Sequence, residues 1–478
     1  MQEIGPMQPH AITKVTVALL CGTLLAGCAA RKMAYRPPAA PQLAKAPAWN
    51  TASAGGAIAA PANDATLSRW WTSLGDPILT SLEERAIKAN LDLRKAETSI
   101  RQAQANRESA RADLLPTYSA SGSANGNRTS TRAMGQLGQS YSALMSASWE
   151  PDFFNKLHGS ISAYEADIQT AQENLRNTLV SLTAELALAY VDVRSYQSQL
   201  AVTKSNLAKY EDTYEMTKVK FETGLSTALD VQQALQTVQS TRAGIPSLET
   251  SIQRSCNAIA VLLGEKPGAV DAELAEVKPV PSIPIEVAVG IPADLVRRRP
   301  DIRAAERQFA AQSARVGVAQ ASLYPSLSLS GSFNFSAKDV LNLLTPATLA
   351  SSLAGSVQQA LFNRTRLRQQ VALQNIALEQ HELSYENTVL NAIEDVENAL
   401  QAFGAEQVRR KSLAEAAQAA ENAADMSREL YRTGLKDFLT VLDSERSVLN
   451  LQNSLAQSDA TIAANLIRLY KAMGGGWN

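Results

Sequence analysis

Between Ser326 and Phe335 the chain alternates strictly. Leu327, Leu329, Gly331, Phe333 and Phe335 take one face, and Ser326, Ser328, Ser330, Ser332 and Asn334 take the other. Period two predicts a β-strand, about 326–336, with one greasy and one hydroxyl-bearing face. A Ser/Gly-rich version runs through about 117–125. Each of these strands is followed by a polar loop, Asn125 to Gln139 or Ala337 to Thr345, and then by a second candidate strand, about 140–150 or 349–361. Strands of about ten residues suit a tilted crossing of a bilayer.

After each strand pair the period lengthens. Apolar positions recur from Leu157 through Ile161, Tyr164, Ile168, Leu175, Leu182 and onward to Phe221, in alternating steps of four and three with one extra four near Leu186. Such a pattern predicts a coiled coil, and the extra step locally relaxes its supercoil. Gly224 and Gly434 interrupt the pattern, and helices resume over Thr227 to Leu263 and Asp437 to Met473. Each half therefore ends in a long helical hairpin turning at Thr-Gly-Leu. In the second half the seam is diluted by His381, Glu406 and Arg410. Shorter helices precede the strands, about Asp76 to Asp113 and Pro300 to Ser322, stopped by Pro116 and Pro325.

The two halves are one unit written twice. Asp92-Leu93-Arg94 matches Asp301-Ile302-Arg303, Leu114 and Pro116 match Leu323 and Pro325, Phe154-Asn155 matches Phe362-Asn363, and Thr223-Gly224-Leu225 matches Thr433-Gly434-Leu435. The offset stays between 208 and 210, a register that chance would not hold. The predicted layout is a signal peptide over 1–27, a lipidated cysteine and Pro/Ala-rich tether over 28–65, repeat 1 over 66–263, a linker over 264–294, repeat 2 over 295–473 and a tail over 474–478.

Composition narrows the class. The 45 basic and 46 acidic side chains nearly cancel, so no nucleic-acid partner is implied. Aromatic content of 5% suits long helices with thin packing seams. Three dispersed histidines offer no metal site, and no catalytic constellation, phosphate-cradling loop or cofactor motif is present. Lys14 precedes an apolar run, Val15 to Gly27, too short for a span and ending Leu25-Ala26-Gly27-Cys28. This resembles a bacterial lipobox, which makes Cys28 the acylated residue. By the same resemblance Ala29 sorts the product to the outer membrane. Cys256 reads as a packing residue, Arg297-Arg298-Arg299 as a solvated helix start, and Gly474-Gly475-Gly476 as a terminal tail rather than a nucleotide loop.

No later stretch holds 18 consecutive apolar residues, so any span must be β. Four strands cannot close a barrel, and an open edge in lipid costs several kcal/mol per unpaired group. Copies must share one. Two would give eight strands, filled by side chains; three would give twelve and a bore.

Trp70-Trp71 with Asp76-Pro77, Arg299-Pro300-Asp301-Ile302, the run Ala319 to Ser326, Trp149-Glu150-Pro151-Asp152-Phe153-Phe154 and the two Gly turns together resemble the outer-membrane factor family of efflux channels, the TolC-like and OprM-like ducts, in the lipoprotein (NodT-type) branch. Pro151 and Asn155-Lys156 depart from the family's strand end. The resemblance implies a mainly α protein with membrane β: a homotrimer with a twelve-stranded barrel and a helical periplasmic tunnel. It also implies docking to a periplasmic adaptor bound to an inner-membrane RND-type pump. The duct would be passive and not an enzyme.

The resemblance also places function at the turns. A periplasmic gate would draw on Asp230 and Asp443, with Tyr431, Arg432 or Lys436 as latch partners, because a symmetric ring of acids repels itself. The alternative for these acids is ordinary helix-end chemistry. Gly224, Leu225 and Ser226, with Gly434, Leu435 and Lys436, would meet the adaptor. Two other classes stay open on sequence alone. A coiled-coil adaptor lipoprotein should show one hairpin inside small β-domains, and a lipid-anchored enzyme would need a catalytic constellation.

Overall fold

The computed structural model describes residues 37–38, 49, 57–58, 67–128, 137–281, 287–288, 292–360, 362 and 364–477. Cys28 and its leader, most of the tether and the tip of the first strand loop lie outside them. The main elements come in the order α1 (Pro77–Ala89), α2 (Leu91–Ala112), β1 (Thr117–Arg128), β2 (Leu137–Trp149), α3 (Lys156–Glu222), α4 (Ala228–Leu262), α5 (Pro300–Ala321), β3 (Ser326–Ala337), β4 (Leu349–Gln358), α6 (Arg364–Arg432) and α7 (Phe438–Ala472). The repeat is literal: α3 and α6 have 67 and 69 residues, and α4 and α7 have 35 each. No described helix is long and apolar enough to cross a membrane.

Two compact units are present, one of Ser99–Ala171 with Ala305–Tyr385, the other of Ala39–Thr98, Gln172–Ala304 and Glu386–Asn478. The first carries one antiparallel sheet in the order β1-β2-β3-β4. Its registers, Thr117 with Ser148, Trp149 with Leu329 and Ser326 with Gln358, align the alternation across all four strands. One face presents Tyr118, Ala120, Met145, Trp149, Leu329, Phe333, Leu353 and Val357. The other presents serine, with hydroxyl pairs Ser119–Ser146 and Ser328–Ser356 at 2.7 Å and Ser123–Ser142 and Ser332–Ser352 at 2.8 Å. A two-faced sheet follows because opposed residues share a face. Strand β4 stops at Gln358, short of the expected 361, because its last partner Ser326 follows Pro325, which has no N–H to offer.

The second unit corrects two expectations. The helix expected from Asp76 to Asp113 is two helices. Asn90, buried, ends α1 and starts α2: its Oδ1 accepts from the N–H groups of Asp92 and Leu93 (2.8 and 3.1 Å) while Nδ2 donates to the Leu262 carbonyl (2.9 Å). Asp76 caps α1 through Ile78 and Leu79, and Pro77 takes the first helical position. Arg299, expected to be solvated, is largely buried. It donates to Asp301 (2.8 Å), Asp395 (3.0 Å) and the Ala472 carbonyl (3.0 Å), and so ties the start of α5 to α6 and to the end of α7.

The glycine tail is packed. Gly475 and Gly476 N–H groups donate to the carbonyls of Tyr470 (2.9 Å) and Leu67 (2.8 Å), and Trp477 receives the guanidiniums of Arg176 and Arg303 at 5.0 and 5.3 Å from its ring. A Cβ at Gly475 or Gly476 would meet Leu67, Trp70, Tyr470 or Thr183, and among the buried residues of the same unit are Trp70, Trp71, Leu74, Leu79, Leu186, Tyr190 and Leu466. Cys256 is a buried free thiol in α4, its pKa pushed up to about 11 by burial.

Candidate functional site

The two hairpin turns are built alike. At the first, the Leu225 N–H donates to the Lys220 carbonyl (2.7 Å) and Gly224 N–H to that of Phe221 (3.0 Å). At the second, Leu435 N–H donates to Leu430 (2.8 Å) and Gly434 N–H to Tyr431 (3.1 Å). These are Schellman ends, and each demands a left-handed residue, supplied by Gly224 at φ 77° and Gly434 at φ 80°. Leu225 and Leu435 are thereby held out at 76% and 71% exposure. Sharp caps restart both helices. Thr227 and Asp230 form a reciprocal capping box on α4, and Asp437 accepts from the Thr440 N–H (3.0 Å) on α7.

The turns are joined side by side. Tyr431, Phe438, Val441, Leu442 and Ala234 form a buried cluster, with Tyr214 and Met216 against it. Lys220 of the first hairpin places its ammonium 4.0 Å over the Tyr431 ring and donates to the Tyr431 carbonyl. Away from the tip, α3 presents a polar buried stripe at Thr203, Asn206, Tyr210, Thr213 and Thr217. Asn206 donates to Gln452 (2.6 Å), Tyr210 to the Glu445 carbonyl (3.0 Å) and Thr213 to the Glu445 carboxylate (2.7 Å), which Arg428 also meets at 2.9 Å. Burial pushes the Glu445 carboxyl up, and Thr213 and Arg428 only partly counter it.

The expected gate residues sit differently from one another. Asp230 is occupied: Ser226 and Thr227 hydroxyls and the Thr227 N–H donate to it at 2.8–3.0 Å. Burial opposes its charge, but these donors outweigh burial and hold the carboxyl below the usual range. Tyr431 is buried, with its hydroxyl toward Thr217 (3.4 Å). Arg432 pairs with Glu429 at 2.7 Å. Asp443 and Lys436 are exposed. Among the described residues, no hydrogen bond joins Asp443 to Asp230, Tyr431, Arg432 or Lys436. Lys220, Glu445 and Arg428 were not singled out from the sequence. Glu445 stands three residues after Leu442 and four after Val441, a helix-face position that marks it as inward. The diluted second seam has the same explanation. Glu406 accepts from Ser458 (2.5 Å), and Arg410 pairs with Asp459 (2.7 Å), so polar residues there serve α7.

The other site is the sheet's rim. β1 and β4 each have one edge without a strand partner among the described residues. No acid, base or metal-binding group of His, Cys, Asp and Glu gathers on the serine face, and no described cluster of such residues could hold a metal.

A two-faced antiparallel sheet and paired helical hairpins in one chain are the marks of an outer-membrane channel of the barrel-and-helix class. The Outer membrane efflux protein family model matches residues 82–265 and 291–475, one match for each repeat, and the chain belongs to this family. It is 35% identical over 461 residues to Nodulation protein T of Rhizobium leguminosarum bv. trifolii, covering 95% of this chain and 96% of that protein. It is 32% identical over 438 residues to the pyoverdine export outer membrane protein OpmQ of Pseudomonas aeruginosa, covering 88% and 90%. The solved outer-membrane channel OprN superposes with a TM-score of 0.83 at 30% identity, over 94% of this chain and 99% of that one. The chain is thus an outer-membrane efflux channel component. Its relatives and structural neighbours are channel proteins, and strand pairs from both halves in one sheet set it apart from a single-hairpin adaptor.

Proposed function

We propose that three copies of this chain close a twelve-stranded barrel and form the passive exit duct of a tripartite efflux system. In this reading Cys28 carries the lipid anchor and the hairpin turns dock on a periplasmic adaptor bound to an inner-membrane RND-type pump. The observation that carries this reading is the four-stranded sheet with two unmatched edges. Leaving those edges in lipid would cost several kcal/mol per orphaned backbone group. With four antiparallel strands, β4 of one copy runs antiparallel to β1 of the next, so copies close a ring without changing strand direction. The apolar face then meets lipid, and the serine face lines the bore with hydroxyls and no charge. Two copies would fill their barrel with side chains, whereas three leave a passage.

At the hairpin turns, exposed Leu225 and Leu435, flanked by Gly224, Ser226, Gly434 and Lys436, offer the adaptor paired apolar knobs. The gate rests on exposed Asp443, with exposed Arg432 and Lys436 as candidate latch partners, on a frame fixed by the Asp230 cap and the Tyr431 core. Native mass spectrometry of detergent-purified protein should give the mass of three chains, and planar bilayers should show discrete conductance. A monomeric, non-conducting species sinks the reading. Radiolabelled palmitate should enter the wild type and not Cys28→Ala; label in both would remove the anchor from Cys28.

A further inference from the structure

The internal repeat sets up a comparison within one chain. In repeat 1 the start of the long helix carries two basic side chains, each met by its own acid. Lys156 pairs with Glu150 at 3.4 Å and His158 with Asp152 at 2.7 Å. With the local offset of 208, the counterparts in repeat 2 are Arg364 and Arg366 for Lys156 and His158, and Gln358 and Ala360 for the acids. Arg364 keeps the charge of Lys156, Arg366 adds a second, and both acids are gone. No acidic residue lies between Asp339 and Glu379, and both arginines are exposed in the first turn of α6, where a helix end disfavours cations.

The ring neighbours of these positions change in the opposite sense. Within the chain, Lys156 and Ser322 line one cleft of about 230 Å³, and Phe154 stacks on Tyr324 at 5.1 Å. With the offset of 209 that holds before the strands, Ser322 corresponds to Asp113 and Tyr324 to Leu115. Asp113 is exposed, Leu115 is 66% exposed, and Phe362, the counterpart of Phe154, is fully exposed. Carrying the β2–β3 register to the edge strands, Trp149 opposite Leu329 becomes Val357 opposite Ala120. Both of these lie on the apolar face. The same shift sets Ser356 opposite Ser121 and so continues the hydroxyl ladder.

We propose that the junction between copies reproduces this intrachain junction with its charges moved: Arg364 of one copy pairs with Asp113 of the next, and Phe362 packs on that copy's Leu115. The acid that the long helix finds in its own chain at the inner junction is supplied by the neighbour at the outer one. Arg364 at the start of α6 thus has its charge partner, Asp113 just past α2, on another copy, which selects the head-to-tail ring. This rests on the shared-barrel reading above.

Two experiments test it, the first in intact cells and the second on purified protein. Leu115→Cys with Phe362→Cys, oxidised with copper phenanthroline, should run as dimer and then trimer on non-reducing gels, while each single variant stays monomeric. Asp113→Arg and Arg364→Asp should each lower the temperature at which the assembly dissociates in detergent, and the double variant should recover most of the loss. A native trimer without the 115–362 crosslink, or with additive charge effects, overturns the pairing and leaves the barrel intact. A wild type that is not an oligomer overturns the barrel itself. Loss on Arg364→Asp matched by delipidation, with Asp113→Arg silent, assigns the arginine to a phospholipid headgroup and also overturns the pairing.

Discussion

Trp70 lies on Tyr470 with ring centroids 5.4 Å apart and planes 19° from parallel, although 400 residues separate them. Both are buried, and the Gly475 backbone runs against the indole: a Cβ added at Gly475 would stand 3.2 Å from Trp70 Cδ1 and 3.0 Å from the Leu67 carbonyl. The chain's last residues thus close over the element that opens repeat 1. Trp70→Ala should cost about 3–5 kcal/mol, as large-to-small changes of buried aromatics do, and Gly475→Ala should also destabilise. Circular dichroism melts of both variants check this. Melts matching wild type would show that the contact contributes nothing.

Glu83 is fully buried in α1, and neither carboxylate oxygen has a hydrogen-bond partner. Burial raises its pKa well above the ordinary carboxylate value. Below the unfolded pKa of about 4.3 the group is neutral in both states and costs nothing extra. As pH rises further, the unfolded chain releases a proton that the fold retains. Stability then falls by at most about 1.4 kcal/mol per pH unit until the folded pKa is reached. Glu83→Gln should flatten this fall, so that its advantage over wild type widens from pH 5 to pH 8. Parallel melting curves across that range would refute the assignment.

Glu445 and Arg428 should behave as a unit. Arg428→Met leaves a buried carboxylate held by Thr213 alone, and losses of about 3–5 kcal/mol follow when one member of a buried pair is removed. Adding Glu445→Met removes the stranded charge and should recover much of that loss. Urea unfolding of the two singles and the double measures the coupling. Additive effects would mean that the 2.9 Å contact carries no coupling.

Much of this was legible in the sequence because repetition and period are global signals. The alternation at Leu327 to Phe335 gave β3 and, through the 209 offset, its weaker copy β1, and the Thr-Gly-Leu pairs gave both Schellman turns. The less legible features turn on single side chains making distant contacts. Asn90 splits a helix because its amide reaches Leu262, which no local pattern announces. Arg299 reads as one of three solvated arginines until Asp395 and Ala472 come to it. Of the polar stripe on α3, Thr203, Tyr210 and Thr217 fall on the seam read from the sequence, whereas Asn206 and Thr213 do not, because an apolar pattern cannot report core positions held by amides and hydroxyls.

The exposed leucines at the turns separate docking from folding. Leu225 and Leu435 touch solvent in this protein, so Leu225→Glu with Leu435→Glu should leave folding within about 0.5 kcal/mol per site. Efflux should nonetheless be lost if these are the adaptor knobs, while protein level and bilayer conductance persist. Gly224→Ala is the contrast: forcing a Cβ into a left-handed turn costs about 1–2 kcal/mol and should lower stability first. Full efflux in the double Glu variant removes the turns from the docking surface.

Asp443 makes the sharpest test of the gate, because its neighbours divide the possibilities. Asp230 is committed to capping α4, so Asp230→Ala should shorten or fray that helix and lower stability by roughly 0.5–2 kcal/mol, whatever its effect on conduction. Asp443 has no such duty: it is exposed, one residue past the buried Val441–Leu442 pair. In a threefold ring three such carboxylates would repel one another and attract cations, and the field would weaken within about 10 Å at 0.1 M salt. Asp443→Ala should therefore leave the melting temperature unchanged, lower single-channel conductance of monovalent cations at low salt and reduce block by divalent cations. Asp443→Asn should do the same, since the charge and not the volume is at stake. If both variants conduct and block like wild type while Asp230→Ala changes only stability, the constriction does not lie at this turn.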